Sequence, residues 1–254
     1  MDEYSLLCER CGYVIEGLDT NGNCPECGQP IAESLPERRV GTQWQQSPGV
    51  GSLLRTGWMT LRHPVRTLDV MMLVPIQPSQ FLIKPLLIIA LFFVSTGSLQ
   101  VLFFGEYFYI ALILFPFFMG LASVLILTIL MLTHIESLGL RIIGRHRGFR
   151  ISKTISHQIV ACGSVGWAIA LAGLGLFWNV YLLTIALGEA ENSSMHQAAR
   201  MVFMIGTPAA LLLMLAGFLF FETFAYLGLR RLKYANRAPP ETSHEPTTVS
   251  HRTT

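Results

Sequence analysis

The chain has 254 residues, of which 52% are hydrophobic and only 13% charged, well below the roughly one quarter charged content of soluble globular domains. That balance excludes an ordinary soluble domain as the whole of the protein and favours the membrane class. The net charge of +2 says little by itself, because the charges are unevenly distributed along the chain.

The start, Met1-Asp2-Glu3, is acidic and is not followed by an apolar stretch, so no cleavable signal peptide is expected and the first 60 or so residues are expected in the cytoplasm. Two copies of CxxCG follow, Cys8-Glu9-Arg10-Cys11-Gly12 and Cys24-Pro25-Glu26-Cys27-Gly28. Each places two thiols on a tight turn, with a glycine after the second cysteine that lets backbone amides approach the sulfurs. The turn-prone Asn21-Gly22-Asn23 lies between them and can bring the second turn back onto the first. Cys8, Cys11, Cys24 and Cys27 are therefore predicted to hold one structural zinc in a zinc ribbon, with residues 13–15 as a short strand. A pair of disulfides is the alternative that a reducing cytosol disfavours, and four thiolates also suit a single iron. With four protein ligands the ion has no open position for water or substrate, so no chemistry is expected of it. Residues 1–30 carry six acidic side chains against Arg10 alone. Such a surface repels phosphate, so a protein partner is expected and no nucleic acid.

Residues 29–52 contain Pro30, Pro36, Pro48, Gly41, Gly49 and Gly51 without a sustained apolar period, which reads as a flexible linker. From residue 53 to 74 Leu54, Trp58, Leu61, Val65 and Leu68 recur every three or four positions, while Arg55, Arg62 and Arg66 fall within about 40° of one another beside that stripe. Such a segment lies on a membrane surface or packs its stripe on the bundle, since both bury the same face. Pro64 predicts a break at His63 and the first turn of a second helix.

Between Lys84 and Glu136 the only formal charge is Glu106. Residues 86–132 therefore read as a transmembrane hairpin that turns at 105–107, each arm long enough to cross about 30 Å of hydrocarbon. Pro116 and Gly120 should kink the second arm without stopping it, and the arm is expected to end at His134. The loop after it carries Arg141, Arg145, Arg147, Arg150 and Lys153 against Glu136. By the positive-inside rule it is cytoplasmic, as is the amino terminus, and Glu106 is outside. Residues 155–188 form an uncharged run too long for one span. Charge favours one crossing with 153–165 at the interface; glycines favour two short crossings with a turn at Gly173 and Gly175. A last run, 201–221, precedes Arg230, Arg231, Lys233 and Arg237, and the tail beyond is disordered by composition.

His63-Pro64-Val65-Arg66-Thr67-Leu68 ahead of the first span, then Phe177-Trp178-Asn179-Val180-Tyr181-Leu182-Leu183, Gly188-Glu189-Ala190 and 195–200 opening the last helix, resemble the Yip1 family of integral membrane proteins over roughly residues 50–225. The resemblance implies five spans and, from eukaryotic members, roles in membrane trafficking and binding of small GTPases. The amino-terminal ribbon is not part of that pattern.

The expected fold is an all-α polytopic membrane protein of five transmembrane helices, possibly four, with a small N-terminal zinc ribbon. Its parts are the ribbon (1–30), a flexible linker (31–52), an amphipathic interfacial segment (53–80), a helical transmembrane domain (81–223) and a basic, then disordered, tail (224–254). The polar residues within the spans, Gln100, Thr128, Ser164, Asn179 and Thr184, are uncharged and are expected to bond between helices. Cys162 reads as a packing residue, and no grouping of acid, base and nucleophile suggests an enzyme. The expected role is a cytoplasmic-membrane adaptor or scaffold that presents the ribbon to a protein partner. The alternative is a small-molecule permease with a regulatory ribbon, recognisable by a polar cavity lined by Asn179, Thr184 and Gln100. Acidic residues 1–30 are further expected to dock, weakly and salt-sensitively, on the basic face made by the loop arginines, Lys153, Arg55, Arg62 and Arg66.

Overall fold

The structure, a computed structural model, describes residues 5–73, 108–188 and 193–237. The expected first arm of the hairpin with Gln100, the turn at Glu106, the acidic stretch 189–192 and the tail beyond 237 lie outside these residues. The described chain is helical, with no β-strand among the described residues. Its helices are α1 (Gln43–Gln46), α2 (Val50–Arg62), α3 (Pro64–Val70), α4 (Phe108–His146), α5 (Lys153–Gly163), α6 (Val165–Gly188) and α7 (Ser193–Arg231).

Among the described residues, three stretches are long and apolar enough to cross a membrane: Ser123–His146, Lys153–Tyr181 and His196–Arg231. Their outward faces carry Val124, Leu127, Met131 and Ile142 on α4, and Met204, Ile205, Leu212 and Leu219 on α7, all exposed. A surface this apolar has bilayer hydrocarbon as its solvent. α4 runs unbroken past His134 to His146, so Arg141 and Arg145 belong to the helix and the loop is confined to 147–152. The extension is held by packing: Leu140 is buried, and the Ser137 and Ser156 hydroxyls are hydrogen-bonded at 3.1 Å, joining α4 to α5.

The run 155–188 agrees with the single-crossing expectation, one stretch at Lys153–Tyr181 being long and apolar enough to cross a membrane, and not with two short crossings. α6 passes through Gly173 and Gly175 without a turn, and the interruption falls at Ser164, whose hydroxyl donates to Ala161 O at 2.6 Å. α5 is packed within the protein: residues 155 and 156 and 158–163 are all buried. The glycines serve close approach instead. A Cβ on Gly166 would stand 2.5 Å from Gly217 O, one on Gly217 would stand 2.5 Å from Gly166 O, and one on Gly173 would meet Ala210 O at 2.9 Å. α6 and α7 therefore touch backbone to backbone, which small residues permit and which supplies dispersion contact where lipid removes the hydrophobic drive. The main core gathers Leu68 and Met71 beside α3, Ile129 and Leu140 from α4, Ile155 and Ile159 from α5, and Phe221, Phe224 and Leu229 from α7.

Residues 31–52, expected as a flexible linker, are laid down as 3-10 turns at Ile31–Ser34 and Pro36–Arg38 followed by α1. α1 opens with a capping box between Thr42 and Gln45. The order comes from long-range bonds that no local pattern announces. Gly41 N–H donates to Val70 O at 2.7 Å, and Gln45 Nε2 donates to Met72 O at 2.8 Å. The break at His63 with Pro64 opening α3 is as expected.

Candidate metal centre

Each CxxCG segment folds into the same turn. Gly12 N–H donates to Cys8 O and Cys8 N–H to Tyr13 O, both at 2.8 Å; Gly28 N–H donates to Cys24 O at 2.9 Å and Cys24 N–H to Gln29 O at 2.8 Å. Gly12 and Gly28 take φ of +81° and +70°, the left-handed region that a side chain resists. The strand expected at 13–15 is reduced to one isolated bridge, Leu7 with Val14, mirrored by Asn23 with Pro30 in the second turn.

The two turns face each other and bring the Sγ atoms of Cys8, Cys11, Cys24 and Cys27 within 4.8 Å of one another. Cys8 to Cys27 is 3.5 Å and Cys11 to Cys24 is 3.6 Å. Sulfurs at about 2.3 Å from a central ion in a tetrahedron stand about 3.8 Å apart, so the set fits a metal ion, and none of the four is in a disulfide. Cys8 and Cys24 are buried with Ile15 and Ile31 in a separate small core.

The charges ask for a cation. Burial raises the Cys8 thiol, but the amides of Cys11 and Arg10 and the thiols of Cys27 and Cys11 outweigh it and bring Cys8 down to about 7. Cys11 is pushed up to about 12 by desolvation and by the thiols of Cys27, Cys24 and Cys8 around it. One thiol ionises near neutrality and raises the cost of the next, so four thiolates coexist only around a positive ion.

The cluster is bolted to the helical bundle through Arg150, which the sequence placed on a docking face, and through Asn236, Arg39 and Tyr234, to which it gave no such role. Asn236, 1% exposed, accepts from Leu7 N–H at 2.9 Å and donates to Leu7 O and Ser34 O, each at 2.6 Å. Glu9 accepts from Arg39 at 2.8 and 3.0 Å, and Arg39 donates onward to Leu68 O at 2.8 Å. The ring of Tyr234 closes over Gly12, where a Cβ would come within 2.9 Å of it. Arg150 donates to Ser5 O and, at 2.6 Å, to Asn236 Oδ1. Docking on a broad basic face is therefore corrected in its chemistry. Of the basic residues expected there, Arg150 is seen bonding to residues 5–30, and the rest of the contact is a carboxamide, an ion pair buried between residues 9 and 39, and a ring. A desolvated contact of this kind is little screened by salt.

Where the expectation was bonding between helices, three of the polar residues inside the spans bond to carbonyls of their own helix. Asn179 Nδ2 donates to Gly175 O at 2.8 Å, Thr184 to Val180 O at 2.7 Å and Thr128 to Val124 O at 2.8 Å. Cys162 is buried, its Sγ 3.5 Å from Met71 Sδ, as a packing residue would be. No family model, no curated protein and no solved structure matches this chain.

Proposed function

We propose that the protein is a multi-pass adaptor of the cytoplasmic membrane, in which a structural zinc holds an N-terminal ribbon against the cytosolic ends of the helices. The ribbon's outer face is offered to a protein partner. One observation carries the reading: the ribbon has two unlike sides. Leu7, Glu9 and Gly12 are engaged with the bundle, whereas Tyr13, Val14 and Leu18 stand exposed beside the exposed Glu16 and Asp19. An apolar cluster rimmed by charge is the usual anatomy of a protein contact. Zinc suits the site because the four ligands leave no open position and the ion has only a fold-holding role.

Orientation and span number follow from parity. Residues 5–39 meet Asn236, so an even number of crossings separates them. Three come from α4, α5 with α6, and α7, and the apolar residues 86–104 supply one more. We infer four spans rather than the five that the Yip1 resemblance implies. Arg145, Arg147, Arg150, Arg230, Arg231 and Lys233 all lie towards the ribbon end, which makes that end cytosolic. The permease alternative is the less favoured reading, since the Thr184 hydroxyl donates to Val180 O of its own helix and Asn179 Nδ2 donates to Gly175 O of the same helix.

Affinity capture from native membranes, with Val14→Ser/Leu18→Ser as the paired variant, tests the adaptor. Wild type should retain a protein that the variant loses while both keep one zinc per chain. Equal recovery from both would remove the outer face from the account.

A further inference from the structure

α2 buries the side of itself that composition would place outward. Thr56 and Thr60 are 1% and 0% exposed, Trp44 N–H donates to Thr56 Oγ1 at 3.0 Å, and Leu53 packs with Trp44 and Val165 at the start of α6. Of the apolar stripe, Leu68 is buried in the core and Leu61 half-buried, but three members face away from the protein: Leu54 is 68% exposed, Trp58 63% and Val65 41%. Arg55, Arg62 and Arg66 flank it, all exposed and in no ion pair among the described residues. Neither α2 nor α3 carries an acidic residue before Asp69.

We propose that α2 and the start of α3 form an interfacial foot that inserts Leu54, Trp58 and Val65 into the cytosolic leaflet and gathers anionic lipid headgroups around Arg55, Arg62 and Arg66. Two observations name the bilayer as the occupant. α2 is seated by its inner side, through Leu53, on Val165, which lies within the apolar stretch Lys153–Tyr181, so its exposed side stands next to a segment apolar enough to cross a membrane. The charge is complementary, with three unpaired guanidiniums beside a leaflet that carries anionic lipid, each strengthening binding roughly fivefold near such a surface. Trp58 has the amphipathic ring that prefers the headgroup level, and the arginine stems reach along the apolar face to phosphates. The inference rests on the reading of the bundle as membrane-embedded.

The test places a photoreactive benzoylphenylalanine at Leu54, Trp58 or Val124 of the full chain, in nanodiscs of phosphatidylcholine alone or mixed equally with phosphatidylglycerol. Val124, exposed on α4, reports whether the bundle sits in lipid. With lipid adducts at Val124, the foot predicts lipid adducts at 54 and 58 as well. In mixed discs their ratio of phosphatidylglycerol to phosphatidylcholine adducts should exceed that at Val124 about fivefold, and Arg55→Gln/Arg62→Gln/Arg66→Gln should bring the two ratios level while adducts persist. Adducts at 54 and 58 to peptide, whether residues 74–107 or a second copy, would overturn the proposal. So would lipid adducts with no headgroup preference, or none at all. Absence of lipid at Val124 would instead sink the membrane reading itself.

Discussion

The side chain of Asn236 completes the backbone of Leu7, accepting its N–H at 2.9 Å and donating to its carbonyl at 2.6 Å across 229 residues of sequence. The carboxamide imitates a neighbouring strand, so the segment entering the first CxxCG turn is hydrogen-bonded although there is no sheet among the described residues. The end of α7 and the metal turns are thereby one unit.

Replacing Asn236 should detach the two. Asn236→Ala strands Leu7 N–H, Leu7 O and Ser34 O in a buried place, at about 1–3 kcal/mol for each group that cannot reach water. We expect a loss of about 2–4 kcal/mol, with hydrogen exchange rising at residues 5–9 and 34–39 and unchanged in α6. Asn236→Asp should cost at least as much, because two donated bonds become contacts between a carboxylate and carbonyls. Unaltered exchange in both variants would show that the pairing adds nothing.

The metal prediction is one zinc per chain by elemental analysis, falling to none in Cys11→Ser. Its pH dependence has a definite sign. Bound thiolates hold fewer protons than the free thiols of the unfolded chain, which titrate near 8.5, so stability from the metal is present at high pH and lost as pH falls. Acid should therefore release the ion, followed by loss of amide protection in residues 5–40. Iron in place of zinc, or a metal content indifferent to acid, would count against the assignment.

Sidedness is tested by impermeant thiol labelling in intact cells with cysteines at Arg147, Ala238 and Glu106. The expected pattern is protection at 147 and 238 and reaction at 106. Reaction at 238 with protection at 147 would mean an odd number of spans.

The glycines divide into two kinds. Gly217→Ala drives a methyl into Gly166 O and the backbone of Ala170, with 2.5 Å available to each. It should lower the thermal midpoint through overpacking of about 1–3 kcal/mol, or separate α6 from α7 altogether. Gly139→Ala, with nothing within 4 Å of the new Cβ, should be neutral or stabilising by up to about 1 kcal/mol, because alanine loses less backbone freedom in a helix. Equal effects at the two positions would contradict the close packing.

The sequence by itself determined whatever depends on neighbours along the chain. Two thiols three residues apart before a glycine suit a metal turn, so the gathering of Cys8, Cys11, Cys24 and Cys27 into one cluster was legible. An apolar run long enough for a bilayer is a membrane-crossing candidate wherever it packs, and Pro64 opens a helix because its ring sets φ. What only the tertiary structure decided depends on partners far away. The segment 31–52 looked like a tether because its order comes from Arg39 reaching Leu68 and Gln45 reaching Met72. Gly173 and Gly175 looked like a turn because glycine also permits close helix contact, and local sequence cannot tell the two uses apart. The face of α2 that points inward was set by Thr56 meeting Trp44 rather than by hydrophobicity, since a helix beside a bilayer can find its apolar solvent on the outside. Asn236 was unreadable for the same reason: a carboxamide has no preferred partner until the fold places a bare backbone in front of it.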